Sequence, residues 1–189
     1  MKKSSGFTLI ELMVVIAIAS ILMKLAAPSF RQLLQSNTIS SNVNNFLADM
    51  RYARSESVRR GGGVIMCRSN APEAANPVCN NGSGPGGNGW VSGWIIFHDV
   101  NGDGTRTSTS TALTDPVLRV QAAMTSIDSI VEGGSPANFR FTATGRLTMA
   151  GLTSLQFGGG DFTNTTQRTV CVSVGGRARI AGDGLASCT

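Results

Sequence analysis

The sequence predicts an α+β chain in which one long N-terminal helix leads into a β-rich globular body. Three observations point there. Phe7 to Ala27 is a largely apolar run interrupted by Glu11 and Lys24. Val43, Phe46, Leu47, Met50 and Ala53 then recur three or four apart, the period of an amphipathic helix. The rest is lightly charged and breaks into short apolar segments separated by glycine-rich turns; the whole chain has 23 glycines, 14% charged and 6% aromatic residues. With 189 residues, 41% of them hydrophobic, there is material for one core and its extension, not for two catalytic domains.

The N-terminal element comes first in the argument. At about 1.5 Å per residue, the Phe7–Ala27 run is long enough to cross a hydrocarbon core of about 30 Å. Lys2 and Lys3 precede it and would stay on the cytoplasmic side, which places the chain after Pro28 beyond the inner membrane. A secretory signal would carry a small-residue cleavage site after its apolar stretch. Here Gly6 stands before it. A simple anchor has no use for Glu11, since an ionised carboxylate there costs about 2.5–3.5 kcal/mol on insertion scales. Glu11 therefore calls for a partner.

Gly6-Phe7-Thr8-Leu9-Ile10-Glu11 resembles the type III signal of type IV pilins and type II secretion pseudopilins. The resemblance implies that a prepilin peptidase cuts between Gly6 and Phe7 and N-methylates Phe7. It also implies that the retained helix packs in a filament core, where Glu11 pairs with the α-amino group of a neighbouring subunit and the burial of both charges is offset. Pro28 matches the helix-kinking proline of many pilins, and Lys24 snorkels to the interface in a structural role.

Next along the chain, the amphipathic helix ends near Arg51, Arg54, Arg59 and Arg60, where cations complement the dipole, and Gly61-Gly62-Gly63 stops it. Strands are expected at Val64–Cys67, Gly93–Phe97, Val117–Ala122, Ile127–Val131, Phe139–Thr142, Ser154–Phe157 and Thr169–Val174. Cys67, Cys79, Cys171 and Cys188 permit three pairings, and an even count after an export segment favours disulfides. The expected pairs are Cys67–Cys79, clamping the Pro- and Gly-rich loop from Asn70 to Gly89, and Cys171–Cys188. Zinc is not expected, because no CxxC occurs and His98 is the sole histidine.

Two further segments, Leu47 to Val58 and Gly93 to Gly104, together resemble the GspH/FimT/FimU branch of minor pilins and pseudopilins. That branch implies a long N-terminal helix packed on a small antiparallel β-sandwich, the type IV pilin-like fold. Its layout here would be a leader (1–6), a transmembrane and filament-core helix (7–28), an amphipathic helix (29–60) and a globular domain (61–189).

Asp99-Val100-Asn101-Gly102-Asp103-Gly104 matches the first half of a calcium loop, with Asp99, Asn101 and Asp103 as oxygen ligands. The second half fails, because Ser110 stands where a bidentate carboxylate is needed, and an Asx-rich turn explains the same residues. No metal or cofactor is therefore expected. His98 at a strand end has no nucleophile motif beside it, and no P-loop, nucleophile elbow or HExxH occurs, so an enzyme is not expected.

Near the C-terminus, Arg177 and Arg179 would project from one side of an extended segment, where two guanidiniums can grip successive phosphates, after glycines that let backbone approach a ligand. Charge pattern alone also fits a solvated hairpin. Gly176-Arg177-Ala178-Arg179 resembles the GRxR motif of FimT-type minor pilins that bind DNA, which implies a DNA site at Gly176, Arg177 and Arg179. Arg140, Arg146 and Arg168 are further basic candidates. The formal charge of +5 falls to +3 once Lys2 and Lys3 leave with the leader, so polyanion binding must rest on a local cluster.

The expected function is that of a minor type IV pilin that enters the pilus and binds extracellular double-stranded DNA for uptake in natural transformation. The competing expectation is a structural minor pilin, or a type II secretion pseudopilin, that primes filament assembly without DNA. Partners implied by either are other pilins, the prepilin peptidase and the inner membrane, with the globular domain in the periplasm before assembly and the pilus as destination.

Overall fold

In the computed structural model of the chain, residues 8–133 and 138–188 are described. The proposed processing site at Gly6 and Phe7 lies outside them. Helix α1 spans Leu9–Arg60 and runs through Pro28. Its start is a capping box: Thr8 N–H and Oγ1–H both donate to Glu11 Oε2, at 2.8 and 2.9 Å, while Glu11 N–H donates to Thr8 Oγ1. Residues 8–37 belong to one compact unit. In it Leu9, Ile10, Val14, Ile18, Leu25 and Leu33 are all exposed. Among the described residues, α1 alone is long and apolar enough to cross a membrane.

The second unit begins at Thr38 and holds the rest of α1 and two four-stranded antiparallel sheets. Strands β1 (Gly62–Arg68), β2 (Trp94–His98), β3 (Val117–Gln121) and β5 (Asn138–Thr142) make the first sheet in the order β3-β2-β1-β5. Strands β4 (Ser129–Gly133), β6 (Thr153–Gly158), β7 (Arg168–Val172) and β8 (Ala178–Gly182) make the second in the order β4-β6-β7-β8. Each of the seven expected segments overlaps a strand. Strand β8 is an addition, because its Ala-Arg-Ile-Ala-Gly sequence carries too few apolar residues to announce itself.

Phe46 on α1 sits where both sheets meet the helix. Its ring stands edge-on to Trp90, Trp94, Phe139 and Phe157, with centroids 5.5–6.1 Å apart, so one helical side chain touches β2, β5 and β6. Ile39, Val43, Met50 and Ala53 are buried in the same cluster, the face that the three- and four-residue spacing marks out. Strands β1 and β2 are buried on both faces: Val64, Met66, Trp94 and Ile96 join the main core, while Ile65, Cys67, Ile95 and Phe97 form a second cluster with Cys79. This explains why these strands read as continuous apolar runs. Disulfides join Cys67 to Cys79 and Cys171 to Cys188. The first ties the Asn70–Gly89 loop, at Cys79, to the outer face of the first sheet.

Candidate nucleic-acid interface

Strand β7 turns into β8 through Ser173 to Gly176. Gly176 N–H donates to Ser173 O, and Ser173 N–H donates to Arg177 O, both at 2.9 Å, so the turn is closed by its own backbone. In the ladder Ala178 lies opposite Val172 and Arg179 opposite Cys171. Ala178 packs toward the main core. By the alternation of a strand, Arg177 and Arg179 flank it on the outward side, and both are exposed. The Cys171–Cys188 bridge ties the C-terminal segment back to β7 directly across from Arg179.

Gly176 plays a different part from the one its position in the motif suggests. It is buried with φ +72°, and a Cβ there would stand 2.1 Å from Gly145 O. It therefore serves close packing of two turns. The second turn runs from Thr142 to Arg146, whose O accepts from Thr142 N–H at 2.8 Å, and the two turns are further joined by Leu147 N–H donating to Val174 O at 2.9 Å. On Gly145 the place of a Cβ is 2.9 Å from Arg54 Nε and 3.2 Å from Val58 Cγ2, so the helix closes the far side.

Contacts at this junction set Arg54 of α1 against the β5 turn that carries Arg146, and that turn against the β7–β8 turn that carries Arg177, with Arg179 next along β8. Among the described residues, Arg54, Arg146 and Arg177 take part in no ion pair. Unneutralised guanidiniums on adjoining turns are what a phosphate backbone requires. Of the further basic candidates, only Arg146 joins them. Arg140 is paired with Asp99 Oδ2 at 3.0 Å, and Arg168 Nη1 donates to the carbonyls of Thr165, Thr166 and Gln167 at the opposite end of β7. Sequence reading missed Arg54, which its position marked only as a cation near a helix end. Nothing in the linear order links residue 54 to residue 145.

The other arginines near that helix end behave differently. Arg59 and Arg60 both bind Glu56, at 2.6 and 2.8 Å, and their hydrogen bonds bring the Glu56 carboxyl down to about 2. They are therefore engaged with a carboxylate on the same helix.

On the first sheet, His98 closes β2, with its N–H donating to Pro116 O at 3.0 Å. Asp99 follows it and organises the next turn: Oδ1 accepts from Gly102 N–H at 2.9 Å and Oδ2 from Gly104 N–H at 3.0 Å. Asn101 and Asp103 bond to each other, Nδ2–H to Oδ2 at 2.8 Å and Asp103 N–H to Asn101 Oδ1 at 3.2 Å. Ser110 Oγ accepts from Thr107 N–H. The Asx-rich turn expected from sequence is present, and the Asn101 side chain is committed within it.

The family model for the type II transport protein GspH matches residues 42–176, and that for the prokaryotic N-terminal methylation motif matches residues 1–23. No curated protein matches the chain in sequence. Two crystal structures of the type IV minor pilin FimU of Pseudomonas aeruginosa are similar in fold. One has 19% identity and a TM-score of 0.55 over 81% of this chain and 95% of that one; the other has 19% identity and a TM-score of 0.50 over 79% and 98%.

Proposed function

Because the chain belongs to the GspH family of type II transport proteins and opens with the N-terminal methylation motif, we propose that it is a minor type IV pilin that binds extracellular double-stranded DNA. It acts within the pilus during uptake in natural transformation and holds DNA without regard to base sequence. The observation that carries this reading is the seating of Gly176 on Gly145, which gathers Arg54, Arg146 and Arg177 without carboxylate partners and sets Arg179 beside them.

The mechanism is electrostatic. Guanidiniums displace condensed counterions from phosphates, which gives weak, sequence-tolerant binding that salt weakens further. The Cys171–Cys188 bridge and the closed turn hold Arg177 and Arg179 in place before DNA arrives, which lowers the ordering cost. Several copies, or several turns of one DNA, raise avidity with no new contact. Before assembly, the Phe7–Ala27 segment holds the subunit in the inner membrane with its globular domain in the periplasm. Prepilin peptidase cleaves after Gly6, Phe7 is methylated, and Glu11 pairs with the amino terminus of a neighbouring pilin.

The test is a gel shift of double-stranded DNA by the detergent-solubilised full chain at about 50 mM salt. Binding that is lost in the Arg177→Gln/Arg179→Gln variant, with thermal unfolding unchanged, supports the reading. Equal binding by that variant rejects it.

A second reading, a structural minor pilin or pseudopilin that primes filament assembly, is favoured by one observation: the GspH match ends at Gly176, before either motif arginine. It gives no shift by the parent chain at any salt, together with loss of pili or secretion on deletion.

A further inference from the structure

We propose that Asp99, Asp103 and Asp115 form a binding site for a hard divalent cation, calcium, at the loop that follows β2. Carboxylate oxygens of these three residues all lie within 4.8 Å of one another. Two oxygens bound to one Ca²⁺ at about 2.3–2.6 Å stand at most about 5 Å apart, so one ion can reach all three.

Proximity of acidic groups alone would carry little, but Asp115 adds an independent observation. Its residue is 0% exposed, and neither of its carboxylate oxygens has a hydrogen-bond partner among the described residues. Leaving a buried carboxylate unpaired is costly, and a bound cation offsets that cost. Its backbone is held on both sides, N–H donating to Thr111 O at 2.8 Å and O accepting from Arg106 Nε–H at 2.9 Å. The side chain is thereby set toward Asp99 and Asp103.

The neighbouring cations leave room for the ion. Arg106 lies beside Asp115, yet its guanidinium donates to two backbone carbonyls, those of Pro77 and Asp115, and not to the carboxylate. Arg140 reaches only Asp99 Oδ2, while Asp99 Oδ1 accepts a single N–H, from Gly102, and keeps a lone pair. Asp103 is exposed at the mouth, with Oδ1 accepting from Thr105 N–H and Oδ2 from Asn101 Nδ2–H. The ligand chemistry is all oxygen and the entry is open to solvent, which suits calcium better than a thiolate- or imidazole-seeking metal. Of the other positions that a linear calcium loop would use, Asn101 is bonded to Asp103 and Ser110 to Thr107; Asp115 from the far end of the loop supplies the third carboxylate.

The site would also tie down the segment between β2 and β3. Cys79 N–H donates to Arg106 O at 2.8 Å, so the same segment is laced to the Cys67–Cys79 loop. An ion joining its two ends would stiffen both loops on the outer face of the first sheet.

The full chain in detergent, stripped with chelator, is titrated with CaCl₂ by calorimetry and melted with and without the ion. Expected are one calcium per chain with an affinity in the roughly 10⁻⁴–10⁻³ M range of extracellular modules, and a Tm rise of about 3–5 °C at a tenfold excess over Kd. Magnesium at the same concentration gives a clearly smaller rise. Asp103→Asn, at an exposed position, keeps the metal-free Tm and weakens calcium about tenfold or more. Asp115→Asn raises the metal-free Tm and abolishes the calcium response. A parent chain whose Tm and heats are the same in calcium and magnesium overturns the proposal, as does an Asp103→Asn variant that binds like the parent. None of these outcomes depends on DNA binding.

Discussion

The indole N–H of Trp94 donates to the Asp49 carboxylate at 2.8 Å inside the core, joining helix α1 to strand β2 by a single polar bond. Arg119 on β3 places its Nε 2.8 Å from the other carboxylate oxygen and its guanidinium over the Tyr52 ring. Burial pushes the Asp49 carboxyl above its ordinary range, and Trp94 and Arg119 act against that push. The folded chain therefore holds this proton to higher pH than the unfolded chain. The associated stability is present near the unfolded value of about 3.9 and is lost as pH rises through the raised one. Urea unfolding from acid to neutral pH should show the parent losing stability relative to Asp49→Asn across that window. Asp49→Ala should cost about 1–3 kcal/mol at all pH, for the indole N–H it strands; parallel pH profiles for parent and Asp49→Asn would refute the titration.

Gly176→Ala forces a left-handed residue with a side chain into the space of the Gly145 carbonyl. The conformational part alone costs about 1–2 kcal/mol, and the clash adds to it. We expect a lower Tm and a weaker DNA gel shift together, because the two turns that carry Arg146 and Arg177 must separate. A variant that loses DNA binding at unchanged Tm would show that Gly176 touches the ligand after all.

DNA binding by the arginine cluster should be steeply salt-dependent. Three or four phosphate contacts give a slope of log K against log salt of about −3 to −4. Titrations on two duplexes of unrelated sequence should coincide, and Arg146→Gln should reduce the slope by about one. A slope near zero would mean that the arginines do not meet phosphates.

The Cys171–Cys188 bridge closes a 17-residue separation around β8. Loop-closure entropy puts its removal at about 3 kcal/mol, and Cys171→Ser/Cys188→Ser should lower stability by that order. Reduction of the parent chain should reproduce the change, measured by denaturant midpoints with and without reductant.

Much of this architecture is legible in the sequence. Strands β1 to β7 announce themselves because apolar side chains must meet a core on one face or both, and turns of glycine and asparagine separate them. Strand β8 does not, since its Ala178 packs toward the core while Arg179 within it and Arg177 just before it are exposed. The capping box of Thr8 and Glu11 was open to reading, because Thr-x-x-Glu before an apolar run is a local pattern. Arg54 and Asp115 were not: one acquires its neighbours from a turn some ninety residues away, and the other shows its isolation only once its surroundings are folded around it.

By itself, the order of residues determined that an apolar helix opens the chain with a carboxylate in its first turns, and that a β-rich body follows, because periodicity and composition are local properties of the chain. Only the folded molecule decided which arginines stand together and which are already neutralised. Charge neutralisation depends on distances between segments remote in sequence, and those are set by packing: Phe46 against rings from both sheets, and one glycine turn seated on another.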